Sequence, residues 1–182
     1  MVKQLALSLW FVSAILLPDV MAQEITNTDK YLTDEELRNP EFVSNWLKTK
    51  GVTADKKDAE RFLNYGLSAK KNPNWSGAAK TFGESMIRYP SPQALTEYAD
   101  ANLIMLGIVR AREKSVKQKM ASDMKHALDF YKSALAADAV LDSLPKSEKE
   151  RVRNNVDCLE VYLRSAEVQR NCEPLQNYTM HR

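Results

Sequence analysis

The stretch AERFLNYGLSAKKNPNWSGAAKTFGESMIRYPSP, residues 59–92, decides how this chain folds. It divides at Asn72-Pro73-Asn74 and closes on Pro90-Ser91-Pro92, and both clusters are of the kind that interrupts a helix. The segments between and before them are rich in Ala, Leu, Lys and Glu, which favour helix. The reading is therefore helix from about 54 to 71, a tight break, helix from about 75 to 89, and a second break. Small residues at Gly66 and Ala78 let the two helices approach closely, while Phe82 is placed to fill the wedge against whatever helix follows.

The same grammar extends outward. Thr33-Asp34-Glu35-Glu36 is a capping box that opens a short helix, and Asn39-Pro40 restarts the chain as cap and first-turn proline. The segment 40–50 then carries Phe42, Val43, Trp46 and Leu47 on one face and stops at Gly51, and Thr53 is the expected cap of the next helix. Beyond Pro92 a long helix is expected with no breaker until at least Lys119, followed by another from about 123 to 137. Pro145 breaks again, Ser147 to Glu150 reads as a second capping box, and Val152, Val156, Leu159, Leu163 and Ala166 make one apolar stripe on a last helix. No segment alternates as a strand would. The fold class expected is all-α, an antiparallel helical array with short connections.

Spacing within residues 59–92 goes further. Phe62, Tyr65, Gly66 and Ala69 in the first helix, then Ala78, Phe82, Ser85 and Pro90, fill a 34-residue pattern. Ala127, Tyr131 and Ala134, in ALDFYKSALAAD, repeat the second half of it, arriving 15 residues late. Asp100 stands where the pattern has Gly, and Ala69 where a Tyr is usual. This arrangement resembles the tetratricopeptide (TPR) repeat over residues 59–139, as one good unit and one altered unit whose extra residues fall in 108–122, as an extended first helix or an inserted turn. The resemblance implies a TPR-like superhelix, with capping helices before it (residues 32–58) and after it (146–182, with the tail). It also implies a concave groove lined by first helices: Leu63, Asn64, Leu67, Lys70 and Lys71 from one unit, and Glu97, Tyr98, Ala101, Ile104 and Met105 from the next. Such a groove suits another protein or peptide. The subfamily that clamps C-terminal carboxylates uses Lys and Asn where Leu63 and Leu67 stand here, so that mode is rejected. A neighbouring helix or the N-terminal segment filling the groove is the competing reading.

The first 22 residues read as a secretory signal peptide: Lys3, an apolar run from Leu5 to Leu17, Pro18, and a small residue at Ala22. The run is shorter than the roughly 20 residues a membrane-spanning helix needs. The expectation is cleavage near Ala22, a loose polar segment at 23–31, and a periplasmic or secreted chain with no transmembrane segment. With Lys and Arg at 26 against 24 Asp and Glu, interspersed, nothing calls for nucleic acid. Cys158 and Cys172 are the only cysteines, and an exported chain meets oxidising conditions, so a disulfide is expected; the alternative is two free thiols. An unbroken helix would hold those residues roughly 21 Å apart, so the bond requires the chain to turn back between Leu163 and Asn171.

Arg110, Arg112, Lys114, Lys117 and Lys119 form a basic arm that could meet an acidic partner or anionic lipid; a solvated face of an overlong helix is the competing reading. His126 and His181 have no companions at ligand spacing, so no metal or cofactor is expected. Neither a nucleophile elbow nor a phosphate loop is present. The function expected is therefore binding rather than catalysis: an adaptor or scaffold in the cell envelope, or an immunity protein that neutralises one secreted toxin.

Overall fold

A computed structural model describes residues 31–112, 117–165, 172 and 174. Among these residues it is all helical: α1 (Asp34–Leu37), α2 (Pro40–Thr49), α3 (Lys56–Lys71), α4 (Trp75–Arg88), α5 (Pro92–Arg112), α6 (Lys117–Leu141) and α7 (Lys146–Ser165).

The ends of these helices are local decisions. Thr33 closes its capping box, with Glu36 N–H donating to Oγ1 at 3.3 Å and Thr33 N–H donating to Glu36 Oε2 at 2.8 Å. Asn39 accepts from the N–H groups of Glu41 and Phe42, and Pro40 occupies the first turn. Asp55, not Thr53, caps α3: it directly precedes the first helical residue, and its carboxylate accepts from Asp58 N–H at 3.1 Å. Asn74 caps α4 through Gly77 N–H. Tyr89, which precedes Pro90, is pushed into an extended conformation and ends α4. Since α7 starts at Lys146, Ser147 lies within its first turn and not at its cap, so the box expected between Ser147 and Glu150 is displaced, and Glu148 pairs with Arg151.

The single helix expected from 92 to at least 119 is instead two, in agreement with the alternative of an inserted turn within 108–122. α5 ends at Arg112 and α6 begins at Lys117, so the chain reverses within a few residues and the two helices pack side by side. The reason is burial. Ala94, Leu95, Ala99 and Leu103 of α5 and Met124, Ala127, Leu128 and Tyr131 of α6 share one core, and each such buried side chain contributes on the order of 1–3 kcal/mol that a continuous exposed helix would forgo. The residues in excess of the repeat pattern lengthen both arms of this hairpin.

From α4 to α7 each helix packs against its predecessor, and α2 packs against α6 while α1 touches α2 and α4. Val43 and Leu47 bury the inner face of α2; Trp46 packs at its edge, and Phe42, placed in the stripe by its spacing, is 37% exposed. The segment before α1 is fastened by Leu32 N–H donating to Ile87 O at 3.0 Å. Between α3 and α4 the approach is as close as the small residues implied. A Cβ on Gly66 would lie 2.3 Å from Phe82 Cε1, and Phe82 and Ala78 have no exposed surface.

A disulfide joins Cys158 to Cys172, Cα to Cα 5.4 Å, so the chain does turn back after α7. Cys158, which the stripe left outside, is buried by that bond. It brings Pro174 against the body of the protein, where that residue is buried as well.

Candidate functional site

Helices α3, α5 and α7 line a cleft of about 700 Å³, to which α6 adds Tyr131 and the α6–α7 connection adds Ser143, Leu144 and Pro145. On α5 the cleft takes residues 93, 97, 100 and 104 with Leu103 beside them, and on α7 residues 148, 151 and 155 with Ser147 beside them. Both sets have the four- and three-residue spacing of a single helical face. Among the described residues nothing from α1 or α2 lines it, whereas Pro174 does.

At its floor Asp100 joins three elements. One of its oxygens accepts the Tyr131 hydroxyl in a short hydrogen bond and also Arg151 Nη1 at 3.3 Å; the other accepts Arg151 Nη2 at 2.8 Å. Glu148, one turn earlier on α7, takes Arg151 Nη2 at 2.6 Å and Nε at 3.0 Å. Higher on the wall, Lys70 Nζ reaches Glu97 Oε2 at 2.7 Å and ties α3 to α5.

Burial, then the adjacent Asp100 charge and hydrogen bond, hold the Tyr131 hydroxyl well above its ordinary range, so it stays a neutral donor. Desolvation works against the charge on Arg151, but the hydrogen bonds and charges of Glu148 and Asp100 outweigh it and hold the guanidinium protonated. The Asn155 amide, 2% exposed, stands close enough to favour ionisation of Tyr131, yet its Nδ2 makes no hydrogen bond of ordinary geometry. Because the Asp100 oxygens are taken up by donors, this arrangement is suited to holding surfaces in place and presenting polar groups.

Behind the cleft wall, Asp138 sets the α6–α7 connection. Its buried carboxylate accepts the N–H groups of Ser143 and Leu144 at 2.9 and 2.8 Å and pairs with Lys149. Burial pushes this carboxyl up, but Lys149 and the two backbone donors more than offset that, and it titrates below the usual carboxylate range.

The positions expected to line the groove are distributed differently. Lys70, Glu97 and Ile104 do line the cleft. Leu63 and Leu67 are half-buried against the Ala78–Phe82 cluster, while Asn64 and Lys71 are exposed outside the cleft. Ala101 is wholly buried and offers a partner no surface. Tyr98 and Met105 face α4 and line a separate depression of about 470 Å³ with Leu37, Gly83 and Met86. Tyr98 also packs edge-on against Phe130, ring centres 4.9 Å apart. The helix face is rotated relative to the repeat pattern, because the large aromatic at 98 finds its burial between α4 and α6.

Asp100, Tyr131, Glu148, Arg151 and Asn155 were not singled out as site residues by sequence reasoning. The signal was the departure at Asp100, a charged residue at a position that normally carries none. Of the basic arm, Arg110 and Arg112 lie in the last turns of α5 and Lys117 and Lys119 at the start of α6; their side chains, and Lys114 altogether, fall outside the described residues, as do residues 1–30 with the expected signal peptide.

Among the described residues no group of three or more His, Cys, Asp or Glu could hold a metal ion, and no helix is long and apolar enough to cross a membrane. Compared with family models, with curated proteins and with solved structures, the chain matches none.

Proposed function

We propose that this chain is an exported, TPR-like module that binds a protein or peptide and acts as an adaptor or scaffold in the cell envelope. The observation that carries the reading is the cleft at which α3, α5 and α7 converge, a concave surface of mixed apolar and polar lining built from successive first helices. The close seat of Phe82 on Gly66 supports the repeat-like character of the α3–α4 pair. The Cys158–Cys172 bond and the apolar, proline-terminated start of the chain support export, because disulfides persist in oxidising compartments.

The test is a capture experiment with residues 23–182, presented as the natural chain and as Ile104→Trp, which fills the cleft. Envelope proteins retained by the first and lost by the second would support the adaptor role. One stoichiometric, salt-resistant partner would reassign the chain as an inhibitor of an exported toxin. Equal retention by both would remove the cleft as the binding surface.

A further inference from the structure

The α5–α6 hairpin outruns its neighbours. α5 has 21 residues against 14 in α4, and α6 has 25 against 20 in α7. Each pair is joined by a short connection, residues 89–91 and 142–145, so the surplus collects at the far end. With a rise of about 1.5 Å per residue, it carries the end of α5 about 10 Å past the start of α4. Among the described residues the last buried one on α5 is Gly107 and the first on α6 is Met124, and Ile108 is 40% exposed. Charge gathers at the same end. Residues 110–119 hold Arg110, Arg112, Lys114, Lys117 and Lys119 against Glu113, five cations to one carboxylate and a net +4. The whole chain is +2, so everything else sums to −2.

Helix stability does not account for this placement. Cations are favourable at a helix C-terminus, which suits Arg110 and Arg112 in the last turn of α5, but unfavourable at an N-terminus. α1, α2, α3 and α7 each carry an acidic residue in the first turn, whereas α6 carries none and opens with Lys117 and Lys119. The apolar residues Ile108, Val109, Val116 and Met120 are interleaved with the cations along the chain, a composition that suits a headgroup layer.

We infer that this end of the hairpin docks on an anionic phospholipid surface, with Arg110, Arg112, Lys117 and Lys119 supplying the attraction. A specific protein interface takes about 800 Å² from each side and a matched shape. A headgroup layer is flat and uniformly charged, so a protruding two-helix end meets it without either. The inference goes beyond the reading of the cleft and does not rest on it.

Co-sedimentation of oxidised residues 23–182 with vesicles tests this. The protein should pellet with phosphatidylcholine vesicles carrying about a quarter phosphatidylglycerol, stay in solution with phosphatidylcholine alone, and be released as salt is raised. Replacing Arg110, Arg112, Lys117 and Lys119 together by Gln should weaken binding roughly a hundredfold or more, at about fivefold for each cation brought to the surface. Lys48, Lys50, Lys56 and Lys57 are exposed around the start of α3, at the other end of the helices, and give the control. The same change there removes equal charge and should leave binding within about twofold. Circular dichroism checks that both variants keep their helical content. Equal binding to neutral vesicles, or equal losses in the two variants, would overturn the inference. Failure to bind anionic vesicles would overturn it too, and an acidic protein captured by the natural chain but lost by the hairpin variant would reassign this end to that partner.

Discussion

The Tyr131 hydroxyl donates to the Asp100 carboxylate at the place where, one helical pair earlier, the Phe82 ring lies on the bare backbone of Gly66. In both pairs a first-helix residue meets the aromatic ring of the second helix, and the first-helix residues are 34 positions apart. One contact requires the absence of a side chain. The other requires a carboxylate, and that carboxylate has a second face free for Arg151 of α7. The first contact is close packing; the second is the polar junction from which the cleft is built.

Gly66→Ala should destabilise the protein. The new methyl meets the wholly buried Phe82 ring at 2.3 Å, and overpacking of this kind costs about 1–3 kcal/mol, which exceeds the gain of about 1 kcal/mol from replacing a helical glycine. Gly83→Ala is the control. Its nearest neighbour is Tyr98 at 3.5 Å, an ordinary contact, so it should be neutral or stabilising by up to about 1 kcal/mol. Urea unfolding of the two variants side by side decides it; equal effects would contradict the packing described.

Tyr131→Phe should cost about 1–3 kcal/mol at neutral pH, because Asp100 loses a donor in a buried setting. It should also change the alkaline response. The folded state keeps Tyr131 protonated above the range in which the unfolded chain ionises, so its stabilisation is complete below about pH 10 and is lost as the pH rises from there. Thermal unfolding measured from pH 8 to 11 should fall less steeply in the variant.

Asp138 acts in the opposite direction. Its folded carboxyl titrates below the ordinary value, so the stabilisation is present above about pH 4 and is lost as the pH falls through the lowered one. Asp138→Asn should lose stability at pH 7 and show a flatter acid limb in denaturation followed by circular dichroism. An unchanged acid limb would mean that other carboxylates govern it.

Reduction of Cys158–Cys172, or replacement of both by Ser, should remove about 3 kcal/mol, the chain-entropy value for a loop closed over 14 residues. It should also loosen the Pro174 side of the cleft. Calorimetry with and without reductant checks the first expectation. The affinity of a peptide selected for the cleft checks the second, and should drop on reduction.

Tyr98→Ala should behave as a core substitution. The ring packs edge-on to Phe130 and against α4, so a loss of roughly 2–4 kcal/mol is expected in urea unfolding. A peptide selected for the α3–α5–α7 cleft should still bind the folded variant with its original affinity. Weakened binding without lost stability would place the partner on the α4 side instead.

Helix positions were legible in the chain because they are set locally. Breakers at Pro73, Pro90 and Pro145, caps at Thr33 and Asn39, and the small residues at 66 and 78 act within a turn or two of themselves. The all-α class and the disulfide pairing follow from the same short-range information, together with there being only two cysteines.

Which face of each helix would be used was decided by packing between elements distant in sequence. No Pro or Gly stands at residue 112; the repeat spacing left an extended helix and an inserted turn open within 108–122, and the apolar faces of α5 and α6 burying one another decide for two helices. Tyr98 lies on the α4 side because Phe130, 32 residues away, offers its ring there, and this rotation carries Glu97, Asp100 and Ile104 into the cleft. The junction of Asp100 with Arg151 spans 51 residues, and a charge pair is stabilising only once folding has removed its competing water. Local propensity determined the helices of this protein; the cleft exists only where their buried faces agree.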